Sequence, residues 1–161
     1  MGFEDEYALI VEDKSGFHLG RRNIVKTDAQ EFAELYEQYK SQALSEEQKE
    51  HLLVQMTRLY TGDFLVDNPD YELDLTRGHY KSIFIEASLA LAQIYIKKGA
   101  LKEAEELLEK HMALDPFDEK GCNLLVEVYK RKGEKARADS VVRQFKKRFK
   151  AEMEVMPDLD F

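Results

Sequence analysis

Apolar residues recur along most of this chain at three- and four-residue intervals, the spacing of one face of an α-helix; only its start departs from this. Tyr7 to Val11 is an apolar run, Glu12-Asp13-Lys14-Ser15-Gly16 has turn chemistry, and Phe17-His18-Leu19 resumes the run. That pattern predicts a β-hairpin in which Gly16 takes a positive φ. A lone hairpin is marginal in water, so it either docks on helices or ends a domain lying upstream. Helical spacing begins at Thr27-Asp28-Ala29-Gln30, a capping box, and carries Phe32, Ala33, Leu35, Tyr36 and Tyr39 on one stripe to about Ala43. Ser45-Glu46-Glu47-Gln48 is a second capping box; its helix offers Leu52, Met56, Leu59 and Tyr60 and is expected to stop at Gly62. Val66 to Asp74 reads as an irregular acidic loop. The next helix is predicted over Thr76 to Lys98. Eleven of the fourteen positions from Ile83 to Ile96 are apolar, and they surround the helix, so it is expected at the centre of the fold. Leu101, Ala104, Leu107, Leu108 and Met112 mark a further amphipathic helix, which Asp115-Pro116 ends while opening the following one. Cys122, Leu125, Val126 and Tyr129 mark another, and Val141, Phe145, Phe149 and Met153 a long last one.

The pattern repeats. Leu91, Tyr95, Gly99 and Ala104 recur 34 residues later as Leu125, Tyr129, Gly133 and Ala138. A period of about 34 residues in that order is the signature of tetratricopeptide-type helix pairs. Each pair has an apolar face that only a neighbour can bury. The fold class expected is mainly α: a tetratricopeptide-like right-handed stack of antiparallel helix pairs, preceded by the short hairpin. The two helices over 27–60 form a degenerate first pair. The divisions expected are a hairpin over 1–22, the helical domain over 23–155 and a fraying tail over 156–161.

Charge alters this picture at one place. The chain carries −8 overall, yet Lys130 to Lys150 holds ten basic and two acidic residues, or +8, which leaves −16 for the rest. Arg143, Lys146, Lys147 and Lys150 form a basic stripe that could face a phosphate or a partner. The plainer reading is a solvated helix pairing with the acidic segments 46–50 and 103–109. The negative total argues against wholesale electrostatic binding to nucleic acid or anionic membrane. One cysteine, Cys122, excludes an internal disulfide and fits a reducing compartment. The apolar run Ile83 to Ile96 is shorter than a membrane span needs, and the acidic start is unlike a signal peptide, so a cytoplasmic protein is expected.

Catalytic and metal-binding chemistry is sparse. Asp63, Asp67, Asp70, Glu72 and Asp74 lack the alternating oxygen ligands and central glycine of a calcium loop. His18, His51, His79 and His111 are scattered without zinc-site spacing and read as surface or half-buried imidazoles. Cys122 reads as a small buried hydrophobe. No phosphate-binding, dinucleotide-binding or nucleophile-elbow motif occurs. No enzyme, metal or cofactor is expected. Stacked repeats commonly hold a peptide along the first helix of each pair, where the second repeat offers Lys120, Asn123, Glu127 and Lys130. The equivalent positions of the first are Glu86, Leu89, Gln93 and Ile96, whose apolar members the first two helices could instead cover. A cavity lined by Tyr36, Tyr60 and Tyr71 is a further option, although tyrosines at helical spacing are more often core.

Beyond the repeat, the order of elements resembles the bacterial transcriptional activator domain. That is the helical domain that follows an OmpR-like winged-helix DNA-binding domain in SARP-type regulators. The resemblance rests on Tyr60, Gly62, Phe64 and Leu65, then Asp70-Tyr71-Glu72, then the Leu/Ala-rich helix into Tyr95 and Gly99. Ala113-Leu114-Asp115-Pro116 with Asp118-Glu119 follows, and then Tyr129, Gly133 and Ala138. It covers roughly 25–155. Thr27 to Phe32 is similar to the family's entry into its first helix, and Tyr7–Leu19 looks like the wing hairpin closing a winged helix. Leu73 stands where the family often has Trp, and nothing before Tyr7 could be a recognition helix.

The resemblance implies the C-terminal part of a longer regulator that reaches DNA only through an upstream winged helix. Its partners would be its own DNA-binding domain, polymerase or a signalling module, with homodimerisation a further option. Two rivals stand beside this reading: a stand-alone adaptor that binds a peptide, and a small-ligand sensor.

Overall fold

The structure is a computed structural model that describes residues 10–13, 16–19, 27–41, 43–62 and 71–153. Strands β1 (Ile10–Asp13) and β2 (Gly16–Leu19) pair antiparallel, with Ile10 opposite Leu19 and Asp13 opposite Gly16. Gly16 is therefore the first residue of β2, not part of the connection. The connection contracts to residues 14–15, which lie outside the described residues, as do Tyr7 to Leu9.

Among the described residues six helices follow: α1 (Asp28–Ser41), α2 (Glu46–Leu59), α3 (Tyr71–Lys98), α4 (Leu101–Leu114), α5 (Glu119–Arg131) and α6 (Lys135–Met153). They form three antiparallel pairs, each packed on the next, which is the tetratricopeptide-like stack the period predicts. Both capping boxes form. The Thr27 hydroxyl accepts from Gln30 N at 3.2 Å, and Thr27 N donates to the Gln30 side chain at 3.1 Å. Ser45 and Gln48 do the same at 3.2 and 2.9 Å.

Three boundaries differ from expectation; one is the start of α5, which begins at Glu119 behind its cap Asp118 instead of opening at Pro116, because the Asp118 carboxylate holds the free amides of its first turn. α3 starts at Tyr71 rather than Thr76, so part of the expected acidic loop is helix. Asp74 lies in its first turn, where a carboxylate meets the positive end of the helix dipole, and it pairs with Arg77 one turn on. α2 ends at Leu59, ahead of Gly62. Its terminal carbonyls are met from another helix: Lys110 Nζ of α4 donates to Thr57 O at 3.1 Å and to Tyr60 O. The ammonium also lies 4.8 Å over the Phe84 ring, and burial holds its pKa below the ordinary value.

The two related pairs end their first helices alike. Gly99 and Gly133 have φ of 75° and 78°, which only glycine adopts freely. Ala100 N bonds Tyr95 O at 2.9 Å, and Glu134 N bonds Tyr129 O at 2.8 Å. Gly99 N bonds Ile96 O and Gly133 N bonds Lys130 O, completing a Schellman stop at each site.

The core has two parts that share α3. Phe32, Leu53, Met56, Tyr60, Phe84 and Leu91 gather α1, α2 and the middle of α3. Ala92, Ile96, Ala104, Leu108, Leu125, Val126 and Tyr129 gather its C-terminal end with α4 and α5. α3 thus occupies the central place its all-round apolar surface predicts.

Candidate functional site

Lys120, Asn123, Glu127 and Lys130 lie on one stripe of α5. Lys120 and Lys130 are exposed. Glu127 pairs with Arg131 at 2.6 Å. Asn123 Oδ1 is out of solvent and accepts no hydrogen bond from the described residues. The stripe does not continue as one groove onto α3. Glu86 accepts from the Tyr36 hydroxyl and from Lys40 Nζ, each at 2.9 Å, so α1 closes that end. The Lys40 bond outweighs burial and holds the Glu86 carboxyl below its ordinary value, while burial and then Glu86 raise the Tyr36 hydroxyl. Leu89 is half-buried and Ile96 is in the core. The first two helices are not what covers these apolar positions: α1 reaches Glu86, whereas Leu89 and Ile96 pack in the core that α3 shares with α4 and α5.

The basic segment divides into two functions. Lys132 and Arg137, at the turn between α5 and α6, fold back onto α4. Lys132 pairs with Glu105 and with Glu134, the latter at 2.9 Å, and Arg137 reaches Glu109 at 3.0 Å and Glu134 at 2.8 Å. Arg137 also stacks 4.3 Å from the Tyr129 ring, whose hydroxyl donates to Glu109 at 2.8 Å. The hydrogen bond from Lys132 holds the Glu105 carboxyl below its ordinary value against the opposing effect of burial. Here the expected pairing with 103–109 is realised. The acidic segment 46–50 instead meets Lys98 of α3 through Glu50. Farther along α6, Arg143, Lys147 and Lys150 are exposed and Lys146 is half-buried. Among the described residues no salt bridge takes Arg143, Lys147 or Lys150.

One residue of each sequence-chosen set meets at a groove between α5 and α6. Val126, Ala138 and Val142 form its floor, and Lys130, Asp139 and Arg143 its rim, around a cavity of about 380 Å³. Helical spacing explains the meeting: 126 and 130 share a face of α5, and 138, 139, 142 and 143 share a face of α6.

His111, expected as a surface or half-buried imidazole, instead stands fully buried in a polar chain. His111 is 0% exposed; its Nδ1 lies 2.7 Å from Ser88 Oγ, also 0% exposed, and its Nε2 lies 2.7 Å from Asp118 Oδ2. Ser88 also donates to Ile85 O at 3.0 Å. Asp118 caps α5, accepting from Gly121 N at 2.9 Å and Lys120 N at 3.3 Å. Burial alone would raise the Asp118 carboxyl, but the bonds from His111 and those amides outweigh it and set it below the ordinary 3.8. A Cβ at Gly121 would stand 2.5 Å from the His111 ring, so only glycine lets α5 approach. Serine, imidazole and carboxylate in one chain have the composition of a hydrolytic triad. Here the serine and imidazole are sealed, and Ser88 sits inside α3, out of any substrate's reach. The chain ties α3, α4 and α5 together. A signal was present in the sequence: His111 continues the buried Ala104–Leu108 stripe of α4 at helical spacing.

Of the remaining candidates, Tyr60 and Cys122 are core. Tyr60 stacks on Phe84 at 4.6 Å and Tyr36 is bonded to Glu86, so these two do not frame a ligand cavity; the Tyr71 side chain lies outside the described residues. Cys122 is fully buried, and burial with Asp118 and Glu119 pushes its thiol up to about 11. Asp63, Asp67 and Asp70 lie outside the described residues. Among the described residues no cluster of His, Cys, Asp and Glu is arranged to hold a metal, and no helix is long and apolar enough to cross a membrane.

A family model described as bacterial transcriptional activator domain matches residues 27–160. No curated protein matches the chain.

Proposed function

The chain belongs to the bacterial transcriptional activator domain family, and we propose on that premise that it is the regulatory and protein-interaction part of a transcription regulator. It relays a signal to, or contacts, its own DNA-binding domain, polymerase or a signalling module, and it works in the cytoplasm without catalysis, metal or cofactor. The hairpin of β1 and β2 is the closing wing of an upstream winged helix, and DNA is read only by that upstream domain. The family match across 27–160 carries the reading. Two features of the fold support it. The Ser-His-Asp chain is spent on joining helices, and the last helix pair turns a charged rim around an apolar floor to solvent.

Deleting residues 27–155 from the full-length regulator tests it. Reporter transcription from the target promoter should be lost while the winged helix still shifts promoter DNA in a gel. Undiminished activation after the deletion would defeat the proposal.

A further inference from the structure

The two related helix pairs present the same backbone positions at two grooves, one filled by α5 and one that no described residue fills. The open groove is lined by Val126, Lys130, Ala138, Asp139, Val142 and Arg143. Their counterparts 34 residues earlier are Ala92, Ile96, Ala104, Glu105, Leu108 and Glu109. Those earlier residues are the seat of α5. Ala92, Ile96, Ala104 and Leu108 share one core with Leu125, Val126 and Tyr129. Around that core, Glu105 pairs with Lys132, the Ile96 carbonyl accepts from Arg131 at 3.3 Å, and Glu109 accepts from the Tyr129 hydroxyl at 2.8 Å. The shape repeated at the open groove is thus one that receives a helix.

Its chemistry is altered in a directed way. The floor stays apolar, with Val126 for Ala92 and Val142 for Leu108. The sign at one rim position is kept, Asp139 for Glu105. At another it is reversed, Arg143 for Glu109, and Lys130 stands where Ile96 was. An occupant seated as α5 is seated would keep its cation against Asp139 and would need an anion where α5 has Tyr129.

We infer that the groove between α5 and α6 is a docking site for an amphipathic helix of a partner protein. That helix is apolar toward Val126 and Val142, with a carboxylate against Arg143 and a cation against Asp139. The inference rests on the interaction-domain reading and gives it a surface and a partner chemistry. A second copy using the same groove would set one basic stripe against another. The apolar floor and the Asp139 carboxylate are ill suited to a phosphate backbone.

The test uses the full chain and a fluorescent peptide with the sequence of residues 118–134, held helical by a crosslink on its solvent face. One version carries Tyr129→Glu and the other Tyr129→Lys. By fluorescence anisotropy at low salt, the Glu peptide should bind about tenfold tighter than the Lys peptide. Arg143→Glu in the chain, an exposed change, should reverse the preference with the far-UV circular dichroism unaltered. Equal binding of the two peptides, binding of neither, or a preference indifferent to Arg143→Glu overturns the inference. So does displacement of the Glu peptide by duplex DNA, which would mark a polyanion site. Self-association lost on Arg143→Glu would put a second copy in the groove, and peptide binding seen only after removal of residues 154–161 would put the chain's own tail there; either overturns it. These outcomes leave the promoter assay untouched, so the groove can fail while the interaction-domain reading stands.

Discussion

The pair α3–α4 and the pair α5–α6 have one backbone plan and two kinds of interior. Both turn at a glycine of nearly the same φ, and both close the turn with the same two hydrogen bonds. Inside, the first pair sets Ser88 against His111, whereas the positions 34 residues on are Cys122 and Phe145, both buried. The difference follows from neighbours. The first pair has α5 beside it, and the cap residue Asp118 of that helix gives the imidazole an acceptor. The second pair has no following pair among the described residues, and apolar side chains fill the same positions without needing one. A repeat can thus keep its turn chemistry fixed while its interior polarity follows what packs against it.

The largest expected effect comes from removing the polar interior. His111→Ala leaves Ser88 and Asp118 without a shared partner and opens a cavity, and should cost about 3 kcal/mol or more. In a chain of this size that is a fall in Tm of roughly 6–12 °C, read by thermal denaturation. Gly121→Ala should cost about 1–3 kcal/mol by forcing the ring aside, but much less in the His111→Ala background. A double-mutant cycle with no coupling would show that ring and glycine are not in conflict.

Next come the turns. Gly99→Ala and Gly133→Ala should each cost about 1–2 kcal/mol, because each places a Cβ in the left-handed region. Urea melts should give nearly equal losses; a marked inequality would break the equivalence of the two turns.

The smallest effect concerns acid. Asp118 titrates in the fold below its ordinary 3.8, and Glu86 and Glu105 below 4.5. A depressed carboxyl contributes stability that is complete above its unfolded value and lost as pH falls through its folded one. Tm should therefore decline as pH drops below about 4, and Asp118→Asn, which can still cap α5, should flatten that decline. An unchanged acid limb in Asp118→Asn would remove this carboxylate from the account.

The capping boxes, the 34-residue register, the central α3 and the basic segment were legible in the sequence because each depends on local spacing. The start of α3 was not, since its acidic first turn resembles a loop until Arg77 is seen to pair with Asp74. Nor was the end of α2, because its stabilising Lys110 is 50 residues from Tyr60. Of the groove between α5 and α6, Lys130 and Arg143 were identifiable singly, and only the packing of α5 on α6 sets them on one rim. His111 escaped because three histidines elsewhere diluted it and its partners lie in other helices.

Lys110 has a consequence for how this molecule comes apart. Arrays of stacked pairs can melt piecemeal from an end, since each contacts only its neighbour. Here an ammonium rooted in α4 grips the carbonyl terminus of α2 and rests on a ring of α3. Fraying of α2 would strand that cation in a poorly hydrated place, and loss of α4 would uncover two carbonyls of α2. Amide hydrogen exchange should accordingly report α2, α3 and α4 opening together, as one cooperative unit that spans two pairs.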